Sequence, residues 1–169
     1  ADRAEVVHFS RLLSGQTRLA DYNFLIFPGG FLDGDDLGAA QAAALRWRHA
    51  RTELGHSLLE ELKLFFDAGG VILGICNGFQ LLVKLGMLPA LGRHYFQRQV
   101  SLSHNDSGKF EDRWVHLRVN SQSPCVFTTG LDKLYFPVRH GEGKLVARDS
   151  ETLAALEREG LVALSYVHP

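Results

Sequence analysis

The stretch Gly70-Val71-Ile72-Leu73-Gly74-Ile75-Cys76-Asn77-Gly78-Phe79-Gln80 decides the fold of this chain. An apolar, β-branched run typical of a buried strand enters a Gly-Ile-Cys-Asn-Gly corner, and an amphipathic pattern typical of a helix follows. This is the layout of a nucleophile elbow, G-x-nucleophile-x-G, with cysteine in the nucleophile position. The flanking glycines are needed because so tight a strand-to-helix turn leaves no room for a Cβ atom on either side.

Cys76 is therefore the main candidate for a catalytic nucleophile. The free N–H groups and the positive dipole end of the following helix point at its sulfur and favour the thiolate. Most free cysteines are small buried residues, but the flanking glycines would serve no purpose beside a packing residue. The other cysteine, Cys125, follows Pro124 in a turn and is interpreted as a packing residue.

Length and composition exclude several classes of protein. The 169 residues, 46% of them hydrophobic, predict one domain over 1–169 with an ordinary core. A net charge of −1 gives no reason to bind nucleic acid or an anionic membrane. No apolar run approaches the ~20 residues of a membrane span, and no signal peptide opens the sequence. Two cysteines in the whole chain favour a reducing cytoplasm, and no cysteine or histidine spacing typical of a metal site is present.

The pattern along the chain predicts an α/β fold with a mostly parallel open sheet and helices on both faces. Three apolar runs are expected to form buried parallel strands: Glu5–Phe9, Asn23–Phe27 and Val71–Ile75. Helical patterns cover Leu37–Arg51 and His56–Ala68, between the second and third of these strands. This order implies right-handed crossovers.

The second half has a different character. Val115, Leu117 and Val119 alternate with Trp114, His116 and Arg118, which predicts a strand with one drier face. Further strands are expected over Leu131–Val138 and Leu161–Tyr166. We therefore expect antiparallel or mixed strands to be added to the parallel core.

A second constellation is the strand end Phe27-Pro28-Gly29-Gly30-Phe31. Ligands bind at the carboxyl ends of parallel strands, and glycines there let backbone N–H groups approach closely. One such N–H, together with that of Asn77, would form a two-donor oxyanion hole. Taken alone, the glycine pair is an ordinary turn; beside the elbow, the functional interpretation is favoured.

The third constellation is His140-Gly141-Glu142. A cysteine hydrolase needs an imidazole base and a carboxylate to orient it, and a His-x-Glu pair on a strand would place both on one face. Spacing alone thus favours His140 as base and Glu142 as orienter. The polar segment Ser103–Arg113 and the basic cluster Arg46, Arg48, His49 and Arg51 are interpreted as solvated surface.

Together these residues resemble the class I glutamine amidotransferases, and within them the glutaminase subunits of phosphoribosylformylglycinamidine synthases. The similarity rests on four boxes in the right order, which are Phe27–Gly38, Gly74–Gln80, His104–Trp114 and Pro137–Lys144. It implies a flavodoxin-like α/β fold and attack of a cysteine on the side-chain amide of glutamine. Ammonia then leaves, and water hydrolyses the γ-glutamyl thioester.

The resemblance also assigns residues. It makes Cys76 the nucleophile, with oxyanion N–H groups from Gly30 and Asn77 and with Gly29 as an alternative donor. Substrate-binding positions are implied at Gly29, Gln80, Asn105, Ser107 and Phe110.

The resemblance corrects the assignment made from spacing. In the family the base and its orienter come from a His-Pro-Glu box near the C-terminus, so His140 and Glu142 become supporting residues near the site. We do not take His168-Pro169 for that box, because the family has a further strand before it. The chain is therefore expected to lack the His-Pro-Glu segment and the family's first strand.

The family also implies a partner. Its glutaminase delivers ammonia to a synthetase subunit that binds ATP and Mg²⁺, so no cofactor is expected in this chain. Two alternatives stay open. A DJ-1/PfpI-like protein also has an elbow cysteine, but Asn77 after Cys76 counts against it. A truncated or degenerate amidotransferase without catalysis is favoured by the missing His-Pro-Glu box.

Overall fold

The computed structural model describes residues 3–30, 38 and 40–168. The chain forms two compact units, the first ending at Leu81 and the second beginning at Leu82. The helices are α1 (Phe9–Leu13), α2 (Gln41–His49), α3 (Leu58–Asp67), α4 (Asn77–Leu85) and α5 (Ser150–Arg158), with 3-10 turns at Leu19–Asp21 and Leu91–Arg93. The strands are β1 (Phe24–Phe27), β2 (Val71–Gly74), β3 (Val100–Ser103), β4 (Glu111–Val119), β5 (Lys133–His140), β6 (Lys144–Ala147) and β7 (Leu164–Val167).

The parallel core predicted for the first unit is confirmed in the pair β1 and β2. They run in register from Phe24 opposite Val71 to Phe27 opposite Gly74, and α2 and α3 lie between them in the chain. Because the strands are parallel, the glycine pair after β1 and the cysteine corner after β2 emerge at the same edge. The expectation that β1 is buried on both faces is wrong, since Phe24 and Ile26 are 41% and 54% exposed.

The prediction of a strand over Glu5–Phe9 is wrong. Residues 3–8 have no regular structure, and α1 begins at Phe9 with the His8 side chain accepting the N–H of Ser10 at its start. Val6 is 97% exposed. The short β-branched run therefore lacks the buried surroundings that would favour a strand over an extended lead-in to a helix.

The helix predicted over His56–Ala68 is confirmed as α3. Ser57 Oγ accepts the N–H of Glu60 at its start, and Leu58, Leu62 and Phe65 are buried on its apolar face. The helix predicted over Leu37–Arg51 is confirmed as α2 from Gln41 onwards, whereas Leu37 lies outside the described residues.

The antiparallel additions predicted for the second unit are confirmed. In its sheet of three strands, β4 lies between β5 and β7 and pairs antiparallel with both. Val115 and Val119 are buried as the alternation predicts, whereas Trp114 is 58% exposed and stacks on Tyr135 with ring centroids 5.0 Å apart. A second antiparallel pair, β3 with β6, and α5 have no counterpart in the sequence prediction.

Among the described residues, no helix combines the length and the apolar character needed to cross a membrane.

Candidate active site around Cys76

Cys76 occupies the turn between β2, which ends at Gly74, and α4, which begins at Asn77. Its φ angle is +53° and the residue is exposed. A non-glycine residue in this left-handed region is strained, and such strain is concentrated at functional sites. The backbone therefore has the conformation of a nucleophile elbow and presents the thiol to solvent.

Two glycines let the chains pass closely at this corner. A Cβ atom on Gly78 would lie 2.5 Å from the carbonyl carbon of Phe27 and 2.8 Å from its Cβ, so α4 starts in direct contact with the end of β1. A Cβ atom on Gly29 would lie 3.0 Å from Cys76 Cβ and 3.6 Å from its Sγ. The thiol thus lies beside Gly29, the first of the two glycines that follow β1.

The two N–H groups assigned to the oxyanion hole belong to Asn77 and Gly30. Asn77 is the first residue of α4, so no carbonyl of that helix can accept its N–H. Gly30 has a φ of +141°, a conformation that residues with a Cβ rarely adopt. Residues 31–37, the remainder of the predicted oxyanion loop, lie outside the described residues, and the assignment of Gly30 stays a prediction.

Gln80 is buried, with 7% of its surface exposed. Its Oε1 accepts a hydrogen bond from Asn77 Nδ2 at 3.2 Å, and its backbone N–H donates to the carbonyl of Cys76 at 3.0 Å. These bonds hold the first turn of α4 against the elbow. Direct contact between Gln80 and a substrate stays a prediction.

A cavity of about 460 Å³ adjoins the glycine pair in the first unit. Gly29, Gly30 and Asn77 form part of its wall, and Phe27 and Trp47 form an apolar part. The rings of Phe27 and Trp47 pack with centroids 5.3 Å apart. An aliphatic chain with a polar end fits such a wall better than an ion does.

Arg46 is a residue of this cavity that sequence reasoning missed. The sequence pattern predicts a solvated face for the basic residues of α2, yet Ala43, Arg46 and Trp47 all line the cavity. Their spacing of three and four residues places them on one side of the helix. That spacing was the available signal, but only the fold shows that this side turns toward the glycine pair.

In the second unit, Asn105 holds together the two boxes that resemble the family. Its Nδ2 donates to the carbonyls of Lys109 (2.9 Å) and His140 (2.7 Å), and its Oδ1 accepts from His140 Nδ1 (2.9 Å) and from the N–H of Gly143 (3.1 Å). These four bonds use the full capacity of an amide side chain. Asn105 thus orders this loop, and its predicted contact with substrate is not tested.

The structure differs from the His-x-Glu geometry expected from spacing. β5 ends at His140, and Glu142 lies in the turn before β6 rather than on a strand beside it. The group that orients the imidazole is Asn105, an amide. Because Asn105 Oδ1 can only accept, His140 Nδ1 carries the proton of this bond. A Cβ atom on Gly143 would lie 2.6 Å from His140 Nε2, so this glycine is packed against the ring.

The remaining predicted residues surround this cluster. Glu142 is buried, with its Oε1 4.0 Å from His104 Nδ1. Ser107 Oγ donates to Glu111 Oε1 at 2.6 Å, and this bond, followed by that from Arg113, lowers the pKa of the Glu111 carboxyl. Phe110 is 51% exposed. No group of three or more His, Cys, Asp or Glu side chains in the described part of the chain is arranged to hold a metal ion.

Comparisons with known proteins show to which family the chain is similar. The family model of the CobB/CobQ-like glutamine amidotransferase domain matches residues 1–169. Phosphoribosylformylglycinamidine synthase subunit PurQ of Dehalococcoides mccartyi is 49% identical over 142 residues, which are 84% of this chain and 52% of that protein. The subunit of the same name from Methanococcus maripaludis strain C7 is 37% identical over 164 residues, 97% of this chain and 57% of that protein.

A solved structure, that of PurLQS from Thermotoga maritima, contains a chain similar to this one. The TM-score is 0.62 at 30% sequence identity, over 90% of this chain and 59% of that chain. The chain thus spans between half and three fifths of the length of these relatives. With a family model matched along its whole length, the chain belongs to the CobB/CobQ-like glutamine amidotransferase domain family.

Proposed function

We propose that this chain is part of the glutaminase subunit of a phosphoribosylformylglycinamidine synthase in de novo purine biosynthesis. The observation that carries the proposal is Cys76, exposed at a φ of +53° and close to Gly29, the first glycine after β1. The subunits of this name in Dehalococcoides mccartyi and Methanococcus maripaludis support the choice among glutamine-dependent enzymes.

The reaction follows from the geometry of the corner. The Cys76 thiolate attacks the side-chain carbonyl carbon of glutamine, and the carbonyl π electrons move to the oxygen. The N–H groups of Asn77 and Gly30 stabilise this oxyanion, and each such donor contributes a factor of about 10²–10³ in rate. The tetrahedral intermediate collapses as the carbonyl re-forms and the C–N bond breaks, and the nitrogen takes up the proton lost from the thiol and leaves as ammonia. Water then attacks the thioester, releasing glutamate and restoring the thiol.

In the second unit we give His140 and Glu142 a supporting role, because the His140 ring is held by Asn105 and Gly143. Substrate binding by Asn105, Ser107 and Phe110 remains what the family resemblance implies.

The ammonia is proposed to pass to a synthetase partner. The structure of PurLQS from Thermotoga maritima contains a chain similar to this one, which supports such a partner. ATP and Mg²⁺ would be bound by the synthetase, so this chain needs no cofactor of its own. The two reduced cysteines suit a cytoplasmic location.

The proposal is tested with a glutamine-directed diazo-ketone, which alkylates the nucleophile of a glutaminase. The full-length protein, alone and with a synthetase partner, is incubated with the reagent, and the labelled residue is identified by peptide mass spectrometry. We expect stoichiometric labelling of Cys76 that glutamine protects against and that Cys76→Ala abolishes. Cys125→Ala is the matched control and should label normally.

The alternatives give different results. A domain without catalysis leaves Cys76 unlabelled even beside the partner. A DJ-1/PfpI-like protein reacts with general oxidants at Cys76 but gains no protection from glutamine. Either outcome would overturn the proposal.

A further inference from the structure

We infer that Asn105 is a positioning residue, whose side chain holds the loop after β3 in the shape that binds glutamine and does not itself contact the substrate. The loop covers residues 104–110, between the end of β3 and the start of β4. This inference rests on the proposed function, because it changes the role of one residue in the proposed substrate site. It differs from the resemblance, which implies direct substrate binding at this position.

The hydrogen-bonding capacity of the Asn105 amide is used up within the chain. Nδ2 donates to the carbonyls of Lys109 and His140, which can only accept, and Oδ1 accepts from the N–H of Gly143, which can only donate. These backbone partners fix the orientation of the amide. The second acceptor position of Oδ1 is taken by His140 Nδ1 at 2.9 Å. A substrate atom could therefore bind this amide only after one of the four bonds had broken.

Asn105 is also the residue that attaches the loop to the turn after β5. It is half-buried, whereas the other residues from 104 to 110 are exposed. Its backbone N–H donates to the carbonyl of Gly141 at 3.0 Å, and its own carbonyl accepts the N–H of Gly108 at 2.9 Å. Main chain and side chain of this one residue thus close the loop on itself and join it to the turn 141–143.

A second contact between the same two segments provides a matched control. Asp106 forms an ion pair with Lys144, and their side chains are 81% and 47% exposed. Ion pairs that face water contribute little to stability. Asp106→Asn removes this pair and leaves every bond of the Asn105 side chain in place, so it separates the loss of a surface contact from the loss of the amide.

The exposed Lys109 allows the order of the loop to be measured directly. Trypsin cleaves after lysine and needs an opened segment, so the rate of cleavage after Lys109 follows the fraction of molecules in which the loop is open. The carbonyl of the bond to be cut is the one that Asn105 Nδ2 holds at 2.9 Å. Brief digestion of the full-length protein with peptide mass spectrometry gives this rate, and assays beside a synthetase partner give KM and kcat for glutamine.

We expect Asn105→Ala to raise the rate of cleavage after Lys109 by about tenfold or more, because several part-buried bonds are lost together. The KM for glutamine should rise about threefold or more, since binding must then also order the loop, while kcat changes less than about twofold. Saturating glutamine should slow the cleavage again. Asp106→Asn should change both quantities by less than about twofold.

His140→Phe removes one of the four side-chain bonds and keeps an aromatic ring in its place. It should raise the cleavage rate and the KM together, by less than Asn105→Ala does. In the Asn105→Ala background it should have almost no further effect, because the partner amide is already gone. This variant also decides the question if Asn105→Ala does not fold.

Three results would overturn the inference. A higher KM in Asn105→Ala with unchanged cleavage after Lys109 would mean that the amide touches glutamine directly. Faster cleavage with an unchanged KM would mean that the order of the loop does not matter for the substrate. Additive effects of Asn105→Ala and His140→Phe would mean that the two residues do not act together. In each case the unmodified protein still labels at Cys76 with the diazo-ketone, whereas a protein that does not label fails the proposed function itself and the inference with it.

Discussion

Gly78 packs directly on the carbonyl group of Phe27. A Cβ atom added at position 78 would lie only 2.5 Å from the carbonyl carbon. This contact joins the first turn of α4 to the end of β1, and it fixes where the elbow stands relative to the glycine pair. In an isolated helix, replacing glycine by alanine would be stabilising by up to about 1 kcal/mol. At position 78 the contact with Phe27 makes the same replacement destabilising.

Gly78→Ala is therefore expected to destabilise the protein by about 3 kcal/mol, the upper end of the range for overpacking, and to abolish labelling of Cys76. Gly55→Ala is a suitable comparison, because a Cβ there meets open space and only the φ of +82° opposes it. Urea denaturation followed by circular dichroism measures both. A Gly78→Ala protein as stable and as reactive as the parent would contradict the elbow geometry.

Leu62 and Leu64 provide a matched test of the core under α3. Leu62 is fully buried and Leu64 is 66% exposed on the same helix. We expect Leu62→Ala to lower the free energy of unfolding by about 2–5 kcal/mol through lost burial and a residual cavity, and Leu64→Ala to change it by less than about 0.5 kcal/mol. Similar values for the two variants in chemical denaturation would show that this face does not form the core.

The contact of Gly143 with His140 predicts non-additive substitutions. Gly143→Ala places a methyl group against the imidazole and is expected to destabilise the second unit by about 1–3 kcal/mol. In a His140→Ala background the ring is gone, and the same change at Gly143 should be nearly neutral. A double-mutant cycle from urea titrations measures this coupling, with at least 1 kcal/mol expected. Additive effects would mean that the two residues do not touch.

Asp149 predicts a pH dependence for α5. Its carboxylate accepts the N–H of Thr152 at 2.7 Å at the start of the helix, and bonds from Thr152 and Arg148 lower its pKa from 3.8 to about 2. A carboxyl with a lowered pKa in the folded protein contributes stability above 3.8, and this contribution is lost as the pH falls toward 2.

In Asp149→Asn the side-chain oxygen can still cap the helix but no longer titrates. The melting temperature of the parent should therefore exceed that of Asp149→Asn at neutral pH, and the difference should shrink between pH 3.8 and about 2. Other carboxyl groups titrate in both proteins and cancel in the difference. A difference in melting temperature that is constant with pH would contradict the lowered pKa of Asp149.

The sequence predicted those features that depend on neighbouring residues. The strand, corner and helix around Cys76 are encoded within eleven residues, and the apolar face of α3 within ten. The run at Val6-Val7 is too short for its periodicity to distinguish a strand from an extended segment. In the structure the His8 side chain caps a helix that begins at Phe9.

Contacts between distant residues could not be predicted. Asn105 and His140 are 35 positions apart, and their hydrogen bond exists because β3 with its following loop meets the end of β5. Spacing therefore favoured Glu142 as the partner of His140, whereas the fold supplies Asn105. Arg46 was missed for the same reason, because the sequence does not show that its side of α2 lines a cavity.

The two units carry one tryptophan each, and this makes the protein its own fluorescence reporter. Trp47 is buried between Phe9 and Phe27 in the first unit, so its emission is expected at short wavelength, whereas exposed Trp114 in the second unit emits at longer wavelength. Replacing either indole by phenylalanine leaves a single probe. Heating the two resulting proteins would reveal whether both halves of the chain melt together or one after the other.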